Sequence, residues 1–214
     1  MRNIIAGLLV ALLWYGPASL AQPIEGRDYT RVRPVQPTRQ DKIEVIEFFS
    51  YQCPHCAAFA PSLDAWMRKP PADVAVKRES VSIGHEPWEP AAKTYYALQS
   101  LGKLEALDAA IFKAIHEQRA RFADLAEIER WVAAGKVPAA EFRSAYQSFG
   151  VDAKTKHAES LSRNYQVPSI PAIAIDGKYL VAIAGNIDFQ VQLANIDALI
   201  AKARTEKKAS GPRK

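Results

Sequence analysis

Cysteine is scarce in this chain, which has two in 214 residues, Cys53 and Cys56. Because they lie three positions apart, they cannot form a long-range structural disulfide, and the short loop that they could close would gain little stability from chain entropy. A zinc site needs two further ligands, and His85, His116 and His157 show no pair at ligand spacing. Covalent haem attachment needs a histidine directly after the second cysteine, where this chain has alanine. These absences leave redox chemistry or, as the alternative, a purely structural loop bridge.

Long apolar runs are also missing. The apolar run over residues 4–14 is 11 residues long, whereas a transmembrane helix needs about 20. Arg2 precedes the run and small residues follow it, so we predict that residues 1–21 are a signal peptide, cleaved near Ala21 and Gln22. An uncleaved membrane anchor is the alternative. Export would place the mature chain in an oxidising compartment.

An excess of one charge occurs only at the C-terminal end. The net charge is +5, but outside Arg2 and the last thirteen residues the chain has 21 basic and 22 acidic residues. A nearly neutral globular part argues against a nucleic-acid partner. The C-terminal segment is expected to be a solvated helix end followed by a frayed terminus, with residues 207–214 as the basic tail; a binding patch is the alternative. The basic residues of the last thirteen positions are Lys202, Arg204, Lys207, Lys208, Arg213 and Lys214.

The first half of an α/β unit is predicted near the N-terminus. After a proline-rich lead-in with a short edge strand around residues 29–32, a β-branched and aromatic run predicts a buried strand at 43–49. A helix should run from the cysteine motif to about residue 68, and a second strand is expected at 74–81. Strand, helix and strand in this order favour a parallel pair with a right-handed crossover.

The second half of the unit is predicted near the C-terminus. A strand at 172–175, a tight Asp176-Gly177 turn and a returning strand at 178–183 form a hairpin. An amphipathic helix that begins near Phe189 follows it. The α/β unit is therefore expected to be discontinuous.

Between these halves, residues 85–158 are predicted to form only helices. Their aromatic stripes are interpreted as core faces rather than as a cofactor site, and the block is interpreted as an insertion into the α/β unit. The expected helices run from Pro90 to a stop at Gly102, over 104–115, from Leu125 to a stop at Gly135, from Pro138 through Phe142 and Phe149 to a stop at Gly150, and over 152–165.

The motif Cys53-Pro54-His55-Cys56 follows a predicted strand and opens a predicted helix. Free N–H groups and the helix dipole favour an anion there, so a solvent-facing thiolate is expected at Cys53. His55 adds a donor or a positive charge, and Pro54 stiffens the first turn. Cys56 lies one turn further in and is expected to be more buried. A stabilised thiolate favours the reduced pair, which makes the oxidised pair a strong oxidant.

Two segments carry a resemblance to a known family. IEFFSYQCPHC, residues 46–56, resembles the active-site segment of the DsbA thiol:disulfide interchange proteins, and IPAIAIDGKY, residues 170–179, resembles their cis-proline segment and hairpin. The likeness spans most of the mature chain. It implies an α/β, thioredoxin-like fold made of residues 22–84 and 159–206, with an inserted all-helical domain at 85–158.

The resemblance also implies an activity, a location and partners. The expected protein is a periplasmic disulfide oxidoreductase that donates its Cys53–Cys56 disulfide to reduced or unfolded exported proteins. It needs no metal and no cofactor beyond this redox-active pair. A quinone-linked membrane oxidase of the DsbB type would reoxidise it, and a monomer is expected.

Three further residues acquire roles from the resemblance. Pro171 would follow a cis peptide bond and face the cysteines, which leaves the Ile170 backbone to pair with a bound peptide; Pro168 is the alternative for the cis bond. Glu47 resembles a buried acid beneath the pair that accepts a proton from the resolving thiol. The alternative is that Glu47 points outward from an alternating strand.

Two other functions are consistent with the sequence. They are a periplasmic disulfide reductase or isomerase, and a non-catalytic thioredoxin-fold binding module or chaperone.

One residue differs from the best-known members of the family. Pro61 lies inside the predicted active-site helix and should kink it.

Overall fold

The computed structural model describes residues 22–183 and 188–210, so the predicted signal peptide lies outside the described residues. Within these ranges the strands form one mixed sheet in the order β1-β5-β4-β2-β3. The strands are β1 (Thr30–Arg31), β2 (Ile43–Phe49), β3 (Val74–Ser80), β4 (Ala172–Ile175) and β5 (Tyr179–Ala182).

Strand β2 lies inside the sheet, and six of its seven side chains are buried. A strand covered on both faces is a nearly continuous apolar run, which is why this strand was predictable from the sequence. It pairs in parallel with β3 and in antiparallel fashion with β4. Helix α1 (Pro54–Met67) connects β2 to β3. The predicted strand–helix–strand unit with a parallel pair is therefore confirmed.

The hairpin between β4 and β5 turns at Asp176 and Gly177, as predicted. Both residues have positive φ, 48° and 69°, which two-residue turns of this type require. A Cβ atom on Gly177 would lie 2.1 Å from the Gln36 carbonyl oxygen. Glycine is thus needed both for the turn and for the close approach of the lead-in segment.

The inserted block contains only helices, as predicted, but two of its boundaries differ. The segment through Phe149 does not end at Gly150: one helix ends at Tyr146, and Ser148 caps the next by accepting the Val151 N–H. Phe149 therefore opens a helix and is 88% exposed instead of lining a core. This last helix also crosses the expected boundary at residue 158. The helices are α2 (Glu89–Ser100), α3 (Leu104–His116), α4 (Leu125–Ala134), α5 (Ala139–Tyr146) and α6 (Phe149–Asn164).

The terminal helix α7 (Phe189–Ser210) is longer than expected. Residue 207, the predicted start of a solvated tail, is helical, and the Lys207 ammonium lies 2.5 and 2.7 Å from the carbonyl oxygens of Arg39 and Lys42 and 2.8 Å from Asp176 Oδ1. A helix end was expected in this basic segment, but Lys207 binds these acceptors instead of extending into solvent. These acceptors come from segments far away along the chain, and charge counting alone could not identify them.

The two faces of the sheet carry two apolar cores. Ile46 and Phe48 of β2 point into a core shared with helices of the inserted block. Ile43 and Val45 point to the opposite face, into a core shared with α1 and α7. Glu47 has the parity of Ile43 and Val45, which places it on the α1 face of the sheet. In the described part of the chain no helix is long and apolar enough to cross a membrane.

Candidate active site

Cys53 is the N-cap residue of α1. Its backbone is extended, and its sulfur accepts a hydrogen bond from the Cys56 N–H at 3.4 Å. The pKa of Cys53 is lowered to about 6, first by a hydrogen bond from the Cys56 thiol and then by the N–H groups of Cys56 and His55 and the charge of His55, against the opposing effect of burial. The expected thiolate position is thus supported by local geometry.

The exposure of Cys53 differs from the expectation. The residue is 4% exposed, whereas Pro54 and His55 are the exposed residues of the motif. The reason is the segment that faces it: the Ile170 carbonyl oxygen lies 3.5 Å from the Cys53 sulfur. The sulfur is therefore largely covered by α1 and the proline segment.

Cys56 lies one turn into the helix and is fully buried, as expected. Burial raises its pKa well above the ordinary value, and the hydrogen bond to Cys53 and the charges of Cys53 and Glu47 raise it further. The two sulfurs are not bonded to each other in this structure. The pair therefore combines one acidic thiol with one that strongly prefers to keep its proton.

The peptide bond between Ile170 and Pro171 is cis. Pro171, and not Pro168, thus carries the cis bond of this segment, as the resemblance implied. Ile183 donates its N–H to the Pro171 carbonyl at 3.0 Å, which joins the segment to the chain after β5. A second cis bond, between Arg33 and Pro34, was not predicted.

Glu47 is 1% exposed, so the alternative that it points outward is wrong. It lies opposite Arg78 in the parallel β2–β3 register, and Arg78 Nε donates to Glu47 Oε2 at 2.5 Å. Its other oxygen, Oε1, has no hydrogen-bond partner among the described residues. Burial raises the pKa of Glu47, while Arg78 opposes that shift.

Three further residues near the pair were missed by the sequence analysis: Arg78, Asp108 and Tyr51. Arg78 Nη1 donates to Asp108 Oδ2 at 2.5 Å, and the Tyr51 hydroxyl donates to Asp108 Oδ1. The sequence did contain a signal for Arg78: when the two predicted strands are aligned in parallel, this basic residue lies opposite Glu47 and could have been predicted as its partner. Asp108 had none, since an acidic residue on a helix surface is ordinary.

The active-site loop is also fixed from the side of the inserted helices. His116 Nε2, at the end of α3, lies 2.7 Å from the Tyr51 carbonyl oxygen. The Tyr51 ring packs edge-on against Phe49 and Phe112, with ring centroids 5.3 and 5.0 Å apart. The insertion therefore contacts the residues that lead directly into the cysteine motif.

A family model described as a DSBA-like thioredoxin domain matches residues 44–196. The thiol:disulfide interchange protein DsbA of Bordetella pertussis is 34% identical over 206 residues, which cover 95% of this chain and 96% of the relative. The DsbA of Pseudomonas aeruginosa strain PAO1 is 34% identical over 213 residues, with 97% and 100% covered.

This chain belongs to the DsbA family.

Solved DsbA structures agree with this assignment. The crystal structure of Pseudomonas aeruginosa DsbA has a TM-score of 0.80 and 33% identity, and the match covers 86% of this chain and 95% of that one. Oxidoreductase DsbA from Xylella fastidiosa has a TM-score of 0.78 and 29% identity, with 86% and 98% covered. The predicted thioredoxin-like fold with a helical insertion is thereby confirmed.

Membership of the DsbA family establishes the class of reaction. The protein is a thiol–disulfide oxidoreductase, and the family works through its own cysteine disulfide. Among residues 22–183 and 188–210, no three His, Cys, Asp or Glu side chains are grouped so as to hold a metal ion. Most of the site residues predicted from the sequence lie together at one end of α1: Cys53, Pro54, His55, Cys56, Ile170 and Pro171. Glu47 lies on the strand beneath that helix.

Proposed function

We propose that this protein donates its Cys53–Cys56 disulfide to reduced proteins that have been exported to the periplasm. The observation that carries the proposal is the position of Cys53 at the N-cap of α1, where its sulfur accepts the Cys56 N–H at 3.4 Å and its pKa is lowered to about 6. A thiolate that is stable at neutral pH favours the reduced pair, so passing the disulfide on to a client is downhill. A thiolate of low pKa is also a good leaving group.

The reaction consists of two exchanges. A client thiolate attacks the Cys53 sulfur, the Cys53–Cys56 bond breaks, and the electron pair leaves with the Cys56 sulfur, which takes up a proton. A second client thiolate then attacks the client sulfur of the mixed disulfide, and Cys53 leaves as a thiolate. The client loses two electrons and two protons; the protein gains both electrons and one proton, and the other proton goes to solvent.

Each residue of the motif has a distinct role in this scheme. His55 stabilises the departing Cys53 thiolate through its N–H and its charge, which both lower the pKa of Cys53. Pro54 opens α1 without sacrificing a hydrogen bond. Ile170 and Pro171 hold the client chain next to Cys53, since the Ile170 carbonyl already lies against that sulfur. Glu47 supplies the proton to Cys56.

The location and the reoxidising partner complete the proposal. DsbA proteins are periplasmic, and the predicted signal peptide over residues 1–21 would deliver this chain to the same compartment. Each cycle leaves the pair reduced, so an external oxidant must restore the disulfide. A quinone-linked membrane oxidase of the DsbB type fits this requirement, with the protein acting as a monomer.

The reduction potential of the pair tests the direction of the reaction. We expect a value far more oxidising than the roughly −270 mV of thioredoxin and close to the roughly −120 mV that is typical of DsbA. Equilibration of the purified protein with glutathione buffers, followed by thiol trapping, measures it. A potential near that of thioredoxin would contradict the proposal and favour a reductase or an isomerase.

A further inference from the structure

Arg78 divides its hydrogen bonds between two carboxylates. An arginine that faces one carboxylate commonly makes two parallel bonds to it. Here Nε donates to Glu47 and Nη1 donates to Asp108, each at 2.5 Å. Asp108 comes from α3, which belongs to the inserted block, whereas Glu47 and Arg78 come from the sheet. One cation therefore serves two acids that approach from different parts of the fold.

The charge of this buried cluster balances only when one acid holds a proton. The side chains of Glu47, Arg78 and Asp108 are 2%, 14% and 14% exposed. With both acids ionised, the cluster has an uncompensated negative charge in surroundings that solvate it poorly. One proton removes that charge.

The hydrogen-bond pattern indicates which acid takes the proton. Asp108 accepts from Arg78 on one oxygen and from the Tyr51 hydroxyl on the other, so neither of its oxygens lacks a donor. Glu47 uses only Oε2, while Oε1 has no partner among the described residues. Glu47 is also the more deeply buried of the two acids.

We propose that Asp108 is a positioning residue for the exchange reaction, because it holds one arm of Arg78 and thereby lets Glu47 carry the proton that the departing Cys56 sulfur needs. This inference rests on the proposed role of Glu47. The charge of Asp108 raises the pKa of Glu47, in the same direction as burial does. The inserted block thus contributes a charged group to the chemistry of the sheet.

The other ionisable groups around Glu47 fit the same scheme. Asp64, on α1, adds a second negative charge that raises the pKa of Glu47, and Cys56, on the same helix, is the group to be protonated. Tyr95, on α2, donates to the Arg78 carbonyl oxygen at 3.3 Å, and burial keeps its pKa above the usual value. β4 places Ile173, which does not titrate, opposite Glu47. Among the groups named here, Arg78 is the cation that opposes protonation of Glu47.

The test compares Asp108→Asn with the wild-type protein. Asparagine can still accept the Tyr51 hydrogen bond but has no charge, so Arg78 becomes free to pair fully with Glu47 and the pKa of Glu47 falls. We expect the pH profile for attack of a small dithiol peptide on the oxidised protein to shift its ionisation to lower pH. A shift of one pKa unit would slow the reaction about tenfold above the transition. Stopped-flow fluorescence under single-turnover conditions measures this rate.

Three further variants make the result interpretable. Asp108→Glu restores the charge and should recover the wild-type profile. Glu105→Gln removes the same charge from an exposed position of α3 and should leave the profile unchanged. Glu47→Gln cannot donate a proton and should abolish the ionisation, after which adding Asp108→Asn should have no further effect. Circular dichroism checks that each variant is folded.

The outcomes separate this inference from the function on which it rests. If Glu47→Gln leaves the pH profile unchanged, the proposed role of Glu47 fails and the inference about Asp108 fails with it. If Glu47→Gln removes the ionisation while Asp108→Asn does not shift it, only the inference about Asp108 is overturned. An infrared band of a protonated carboxyl that is lost in Glu47→Gln, and that disappears at lower pH in Asp108→Asn than in wild type, would support both.

Discussion

The two ends of the first turn of α1 place the same side chain in opposite electrostatic surroundings. At the N-cap, Cys53 meets donors and a positive charge, and its pKa falls to about 6. One turn later, Cys56 is fully buried beside the Glu47 carboxyl group, and burial raises its pKa well above the ordinary value. Position on the helix, and not residue type, therefore decides which sulfur is stabilised as a thiolate and which one keeps its proton.

The largest difference between the two sulfurs should appear when each is replaced by serine. Cys53→Ser removes the sulfur that a client attacks, so reduction of insulin and oxidation of clients should fall to the uncatalysed rate. Cys56→Ser keeps the Cys53 thiolate but has no resolving thiol. Its Cys53 should attack a client disulfide, release the other client sulfur as a thiolate and remain bound to the client as a mixed disulfide. Mass spectrometry after incubation with a client that contains a disulfide distinguishes the two variants.

Both serine variants should fold, because a disulfide that closes so short a loop adds little to stability through chain entropy. A protein in which Cys53→Ser leaves client handling intact would be a binding module or chaperone, and the assignment of catalysis to this pair would be wrong.

An intermediate effect is expected in the stability of the reduced protein. The pKa of Cys53 is about 6 when folded and about 8.5 in an unfolded chain. At pH values between these two pKa values, the unfolded state binds more protons at Cys53 than the folded state does, so the free energy of unfolding should rise with pH. This gain in stability should be lost as the pH falls through about 6. One proton corresponds to a slope of at most about 1.4 kcal/mol per pH unit.

Urea unfolding of the reduced and oxidised forms, compared from pH 5 to pH 8, measures this effect. The difference between the forms cancels most other titrations. Cys53→Ser, which cannot form the disulfide, should lack the part of the pH dependence that the reduced wild-type protein owes to Cys53. A difference that stays constant with pH would mean that the thiolate is not stabilised by the fold.

The smallest effect is expected from His55. Its charge is the weakest of the main influences on Cys53, and its backbone N–H survives substitution. His55→Ala should therefore raise the pKa of Cys53 by less than about one unit, which corresponds to less than a tenfold change in the thiolate ratio. Thiolate absorbance as a function of pH measures the shift. His157→Ala, on an exposed position of α6, is the matched control and should cause none.

Local sequence patterns predicted many of the strands, turns and helix ends, because neighbouring residues determine these elements. The apolar run of β2, the turn at Asp176 and Gly177 and the capped start of α1 each follow from a few neighbouring residues. The predicted boundary between α5 and α6 was wrong because two local signals compete there. Gly150 favours a helix end, but Ser148 accepts the Val151 N–H and so fixes the start of α6.

Contacts between distant segments could not be predicted in this way. The covering of Cys53 by Ile170 depends on two segments that are separated by the whole insertion. The pairing of Arg78 with Asp108 depends on how α3 packs against β3, which no periodicity specifies. The site was therefore predictable where it consists of the motif, and unpredictable where tertiary packing brings in partners.

The pairing of β2 with β4 has a consequence for the time at which the protein becomes active. Val45 pairs with Ile175, so a strand formed early in the chain waits for one that emerges after every inserted helix. Long-range pairing of this kind is slow to form, and a chain is synthesised from its N-terminus. Until the proline segment arrives, no Ile170 carbonyl lies against the Cys53 sulfur, so an incomplete chain presents the two cysteines in an unfinished site that is assembled only when the last strands are in place.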